Sequence, residues 1–143
     1  MPQSFDSIIL HLVFSTKERK PMLQNEFRSQ MHAYLAKVGR AFGSKVFKVG
    51  GVADHVHLAV TLSRTSSVAD LVRELKTESS KWAKVQSGDH KDFAWQSGYG
   101  VFSVSRSKLP VLEAYILNQE KHHEAMSFQE EFSGGVFRAF KKA

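Results

Sequence analysis

Two histidines separated by a valine, His55-Val56-His57, and a tyrosine four residues ahead of a glutamine, Tyr115 and Gln119, are the side chains best placed by type and spacing to do chemistry. On a strand, residues i and i+2 face the same side, so both imidazoles project together while Val56 turns into the opposite layer. Neighbouring imidazoles make half a site for a divalent cation, or else two unrelated polar groups on a half-exposed strand. On a helix, Tyr115 and Gln119 stack a turn apart on one face. A phenol can attack phosphorus and hold it covalently. A Gln carbonyl one turn away can complete a metal shell. A helical tyrosine can equally be a packing residue with a wet hydroxyl.

Other polar groups surround these four. His122 and His123 follow on the same helix and suit its C-terminal end, where the macrodipole favours them. His11 sits in an apolar run and reads as structural, although it could face the same cavity as His55. Lys17, Arg19 and Lys20 cluster in a short loop, and Lys76, Lys81 and Lys84 run along a helix with Ser79, Ser80 and Trp82. Such cations can contact phosphates, and Trp or Phe can stack on unpaired bases. A solvated helix face is the alternative for the lysines.

The elements that must position these groups are legible from the apolar pattern. Residues 6–14, DSIILHLVF, read as a buried strand rich in β-branched side chains, and STKERKP after it as a basic loop. Phe27, Met31, Tyr34, Leu35 and Val38 give residues 23–42 a helical face, with Gly43 as a stop. Residues 45–50 and 55–62 read as strands, and Gly50-Gly51 permits a tight turn or bulge. Ser66 or Ser67 can cap a helix over residues 68–85. Residues 99–105 alternate as a fourth strand, and Pro110 can open a last helix reaching about Met126. The order β-α-β-β-α-β-α predicts an α+β, ferredoxin-like antiparallel sheet with helices on one face and a C-terminal helix carrying Tyr115. Residues 1–143 are expected to form a single domain, with no repeat and no linker. Many functions use this fold, so it leaves the chemistry undecided.

Composition narrows the class further. There is no cysteine, which excludes disulfides, thiolate metal sites and cysteine nucleophiles and fits a reducing cytoplasm. No apolar run approaches the roughly 18 residues of a membrane span, and the start, with Asp6 and no basic stretch, is a poor signal peptide. A cytoplasmic protein with no membrane partner is expected. The net charge is +6, and residues 1–48 carry eight Lys/Arg against three Asp/Glu. A basic surface attracts polyanions, nucleic acid foremost.

Taken together, HLVFSTKERKPML (11–23), GGVADHVHLAV (50–60), LVRELKTESSKW (71–82), FAWQSGYGVFSVS (93–105) and YILNQEKHH (115–123) resemble the single-tyrosine HUH transposases of the smallest bacterial insertion sequences and their REP-associated domesticated relatives. The stretches occur in the family's order and span most of the chain. The pairing of His-hydrophobic-His with Tyr-x-x-x-Gln makes the likeness specific. The resemblance implies that His55, His57 and Gln119 hold Mg²⁺ or Mn²⁺ and that Tyr115 is the nucleophile. It implies a homodimer that binds single-stranded DNA hairpins, cuts beside them, keeps a 5′-phosphotyrosine link and rejoins ends in DNA transposition. The proton acceptor for Tyr115 stays open, as does whether its helix serves its own subunit or a partner. Two other classes stay in play: a ferredoxin-like nucleic-acid-binding module without catalysis, and a metal-dependent nuclease that uses water.

Overall fold

Strand β1 (Ile9–Ser15) and strand β3 (His55–Thr61) are runs of β-branched and large apolar residues, and both are buried along nearly their whole length. Such strands belong in the middle of a sheet, and here they pair antiparallel with each other, Leu12 opposite Leu58 and Ser15 opposite His55. Strand β2 (Val46–Val52) flanks β3 and strand β4 (Gly100–Val104) flanks β1, giving the order β2-β3-β1-β4 with every pair antiparallel. That is the expected ferredoxin-like sheet. The computed structural model describes residues 3–119.

The two-residue alternation of the strands sorts their side chains into two cores. Leu10, Leu12 and Phe14 of β1 and Val56, Leu58 and Val60 of β3 point to one face. There they meet helix α1 (Asn25–Phe42) and helix α2 (Val68–Lys84). The helices end as the sequence suggests. Gly43 terminates α1 in the left-handed conformation, at φ 106°. Ser67 caps α2, its hydroxyl accepting from the Asp70 N–H. Burying about ten large aliphatic side chains at roughly 1.5–3 kcal/mol each makes this the main stabilising core.

The opposite face carries Ile9, Ala59 and Val104, covered by Leu109, Leu112, Tyr115 and Ile116 of helix α3 (Leu109–Leu117). So α1 and α2 share one face and, among the described residues, α3 covers the other. It is the face to which His11, His55 and His57 point.

Two features differ from the sequence expectation. Gly50 and Gly51 lie inside β2, and the hairpin turn falls at Ala53 and Asp54 instead. Each glycine is needed because something comes too close for a Cβ. At Gly50 a Cβ would stand 2.7 Å from the backbone oxygen of Ile116, so the missing side chain lets α3 settle onto the sheet edge. At Gly51, φ is 154° and a Cβ would stand 2.2 Å from the His55 carbonyl oxygen. The last helix, expected to run unbroken, is interrupted after Leu117: Asn118 sits at φ −98° and ψ 20° as a turn, and Gln119 is helical again. Residues 120–126, with His122 and His123, lie outside the described residues.

Candidate active site

His55 opens β3 immediately after the hairpin turn, and His57 follows on the same face. Both are fully buried. Their rings stand 5.1 Å apart, centroid to centroid, and are nearly perpendicular at 71°. Tyr115 comes down from α3 onto the same spot, its ring 5.6 Å from that of His57 and 85° to it. Gln119, beyond the Asn118 turn, is 1% exposed and directs Oε1 to 3.3 Å from His55 Nε2. Its Nε2 donates to the Tyr115 carbonyl at 3.4 Å. The four side chains singled out by type and spacing thus converge within one chain, from two elements 64 residues apart.

The contact between His55 and Gln119 has an unusual polarity. Asp54 Oδ1 lies 2.8 Å from His55 Nδ1, and a carboxylate there accepts a hydrogen bond from Nδ1–H. With that proton on Nδ1, His55 Nε2 offers a lone pair. Gln119 Oε1 is an acceptor too, since its amide nitrogen is committed to the Tyr115 carbonyl. In a neutral His55 with that tautomer the two acceptors at 3.3 Å leave room for a metal ion between them, whereas a protonated His55 donates Nε2–H to Gln119 Oε1. The donor set therefore fits a divalent cation held by His55, His57 and Gln119. Among the described residues no three His, Cys, Asp or Glu side chains are grouped to hold a metal, so such a site depends on the amide oxygen.

His11, expected to be structural, belongs to this cluster. It lies on β1 across from Ala59, fully buried, with Nε2 2.8 Å from His57 Nδ1. Its ring stacks on His57 at 5.1 Å and meets Tyr115 edge-on at 6.0 Å. Asp54 escaped the sequence reading altogether. A carboxylate next to a candidate ligand histidine was the available signal.

The basic residues separate into groups. Lys17 and Arg19 bound a single 3-10 turn that begins two residues past Ser15, the partner of His55 across the sheet. Thr16 donates its N–H to the Asp54 carbonyl, so this loop leaves the sheet beside the histidines. Lys17, Arg19 and Lys20 are exposed, and Lys20 reaches Glu18 at 4.0 Å. Lys76 approaches the same end of the sheet but donates to the carbonyls of Gln96 and Gly98 at 2.8 and 2.6 Å, pinning that loop to α2. Partial burial lowers its pKa from the usual lysine value. Lys81 lies farther along α2 and pairs with Glu78 at 3.5 Å. Trp82 is already stacked within the protein, on Tyr34 at 4.9 Å and on Phe27 at 5.6 Å.

Two concavities adjoin the site. A groove of about 280 Å³ runs where Val13 and Ser15 face Gly100 and Phe102, and it is rimmed by Tyr99, itself 42% exposed. A cavity of about 420 Å³ lies outside edge strand β2, lined among others by Arg28, His32, Lys48, Gly50 and Ile116. Burial, and then the nearby Arg28 charge, push the His32 pKa down to about 4, so this imidazole is neutral at physiological pH.

Residues 4–119 match the protein family described as Transposase IS200 like. The chain is 25% identical over 114 residues to ISDra2 transposase TnpA of Deinococcus radiodurans, an alignment covering 76% of this chain and 81% of that protein. Its fold is similar to that in a crystal structure of a candidate transposase from Deinococcus radiodurans, with a TM-score of 0.62 and 22% identity over 83% of this chain and 96% of the other. It is also similar to a REP-associated tyrosine transposase solved bound to a REP hairpin, with a TM-score of 0.61 and 15% identity over 86% and 74% of the two chains.

Proposed function

The chain belongs to the IS200-like transposase family, and on that footing we propose that it cuts and rejoins single-stranded DNA with Tyr115 as the nucleophile. The observation carrying this reading is the convergence on one buried spot of the Tyr115 ring, 5.6 Å from His57, and the facing acceptors of His55 and Gln119.

In the proposed reaction Tyr115 Oη attacks the scissile phosphorus. The phosphorus–3′-oxygen bond breaks and the 5′ phosphate stays on the tyrosine. The phenol gives up its proton and the leaving 3′ oxygen takes one up. Later a free 3′ hydroxyl attacks the phosphotyrosine, restoring a phosphodiester and the phenol. The number of high-energy linkages is unchanged at each step, so rejoining needs no ATP. His55, His57 and Gln119 would hold Mg²⁺ or Mn²⁺, which supplies Lewis-acid polarisation of the phosphate when bound. Two neutral imidazoles and an amide add no negative charge of their own. They leave a bound cation's charge for the DNA, and they suit Mn²⁺ better than Mg²⁺, which prefers oxygen ligands.

The chain's own residues do the rest. Burial of Tyr115 between α3 and the sheet limits the positions its ring can take. The exposed Lys17, Arg19 and Lys20, in the loop that Thr16 ties to the Asp54 carbonyl, would meet the DNA backbone. The Tyr99-rimmed groove offers an apolar surface to unpaired bases next to the site. Lys76 acts through the loop it pins, and Lys81 contributes at most long-range attraction. The relative bound to a REP hairpin supports hairpin DNA as the partner here. A homodimer belongs to the same proposal. Incubating labelled hairpin DNA with the protein and Mn²⁺, then searching for a denaturation-resistant adduct, tests the reading.

A further inference from the structure

We propose that Asp54 and His11 are positioning residues that accept hydrogen bonds from the Nδ1–H groups of His55 and His57 respectively, so that each ligand histidine keeps its Nε2 lone pair for a metal. This inference rests on the reading of His55 and His57 as metal ligands and goes beyond it by assigning how they are prepared for the metal.

The geometry carries it. Asp54 Oδ1 is 2.8 Å from His55 Nδ1, and His11 Nε2 is 2.8 Å from His57 Nδ1. Each candidate ligand is therefore held at Nδ1, and for His55 the other ring nitrogen is the one that meets Gln119. A neutral imidazole carries one proton, and its neighbour decides which nitrogen holds it. For His55 the choice is imposed by a carboxylate, which only accepts. For His57 the partner is another imidazole, so two arrangements are possible. Either His57 Nδ1–H donates to His11 Nε2, or His11 Nε2–H donates to His57 Nδ1. Only the first leaves His57 Nε2 as a lone pair, matching His55. It also places the proton of His11 on its own Nδ1.

The environments of His11 and His57 suit such a role. Both are fully buried, and their rings stack at 5.1 Å with a 27° tilt. His11 is held by the central strand β1, opposite Phe102 on one side and Ala59 on the other. A fixed donor–acceptor pair in such a place fixes the rotation of the His57 ring as well as its tautomer. Partners of this kind typically change metal affinity by about 10–100-fold when removed.

The test has two parts, both on the full chain without DNA. In ¹⁵N-histidine-labelled, metal-free protein at mildly alkaline pH, two-bond ¹H–¹⁵N correlations report which ring nitrogen carries the proton. The proposal expects Nδ1–H for His55 and His57 and a bare Nε2 on each. A proton on His57 Nε2, with Nδ1 bare, would overturn it.

In the second part, Mn²⁺ affinity is measured by calorimetry. His11→Leu, with similar volume and no acceptor, is expected to weaken binding about 10–100-fold. His11→Gln, which returns an acceptor at similar reach, is expected to restore most of it, a rescue that a merely space-filling His11 would not show. Asp54→Ala is expected to weaken binding likewise. Unchanged affinity in His11→Leu, beside a clear loss in His57→Ala, would overturn the positioning role alone. Unchanged affinity in His57→Ala would overturn the metal reading beneath it. Circular dichroism of each variant separates these outcomes from unfolding, and the NMR measurement on the unmutated chain stands if His11→Leu fails to fold.

Discussion

His55 Nε2 and Gln119 Oε1 face each other at 3.3 Å across the junction of β3 and α3, with His55 Nδ1 against Asp54 and the Gln119 amide nitrogen donating to the Tyr115 carbonyl. The pair joins the N-terminal end of a strand to a residue just past a helix, so a cation bound between them would also tie α3 to the sheet. Gln119→Ala should therefore weaken Mn²⁺ binding about tenfold or more while leaving hairpin DNA affinity within a few-fold, because phosphate contacts supply most of that affinity. Calorimetry and gel shift on one preparation would show both. Wild-type Mn²⁺ affinity in Gln119→Ala would remove the amide from the ligand set.

Gly50 predicts how tightly α3 must seat. A methyl group there would stand 2.7 Å from both Cγ2 and the backbone oxygen of Ile116, and backbone does not yield cheaply. Gly50→Ala should lift α3 and with it Tyr115, next to Ile116. Overpacking of this kind costs about 1–3 kcal/mol. The expected result is a lower melting temperature and a loss of covalent product larger than the loss of hairpin binding. Full cutting by the variant would show that Tyr115 need not be held so closely.

The split between what could and could not be read from the sequence follows from range. The four strands, the α2 cap at Ser67 and the Gly43 stop depend on local side-chain chemistry and were legible, although the first strand starts three residues later than expected, at Ile9, and the second runs two residues further, to Val52. His55, His57, Tyr115 and Gln119 were legible as short spacings, two on a strand and two on a helix. For His11 the sequence left a structural role and a place in the His55 cavity both open, because its contact with His57 spans 46 residues and depends on the β1–β3 register. The glycine pair was misread for the same reason. A Gly-Gly step signals a turn locally, whereas here it accommodates Ile116 and the His55 backbone, neither visible from the neighbouring sequence. The interruption of the last helix at Asn118 carried no glycine or proline to mark it.

The loop after β1 makes a prediction about salt. If Lys17, Arg19 and Lys20 meet phosphates, changing all three to Gln should weaken hairpin binding and flatten the plot of log affinity against log salt by about two units of slope. Lys76→Gln should behave differently, because its ammonium serves the Gln96 and Gly98 carbonyls. It should lower stability with little change of slope. An unchanged slope in the triple variant would exclude that loop as a backbone contact.

His32 predicts a pH dependence of stability. Its pKa of about 4 in the folded chain lies below the model-peptide value of 6.5. The unfolded chain therefore takes up this proton first as pH falls. The stability is fully present above about pH 6.5 and drains away toward pH 4, by roughly 2–3 kcal/mol. His32→Gln should flatten this part of the denaturant-midpoint profile between those limits. A wild-type slope in the variant would assign the acid sensitivity to other groups.

The central claim is that Tyr115 itself becomes bonded to DNA. The most direct measurement incubates 5′-exposed and internally labelled single-stranded hairpin DNA with the protein and Mn²⁺, resolves the mixture under denaturing conditions, and maps the adduct by mass spectrometry. The account predicts an adduct whose DNA is joined through a 5′ phosphate to the peptide containing Tyr115, absent with EDTA and absent in Tyr115→Phe. Cut DNA without any adduct, or cutting that survives Tyr115→Phe, would contradict it and assign the attack to water.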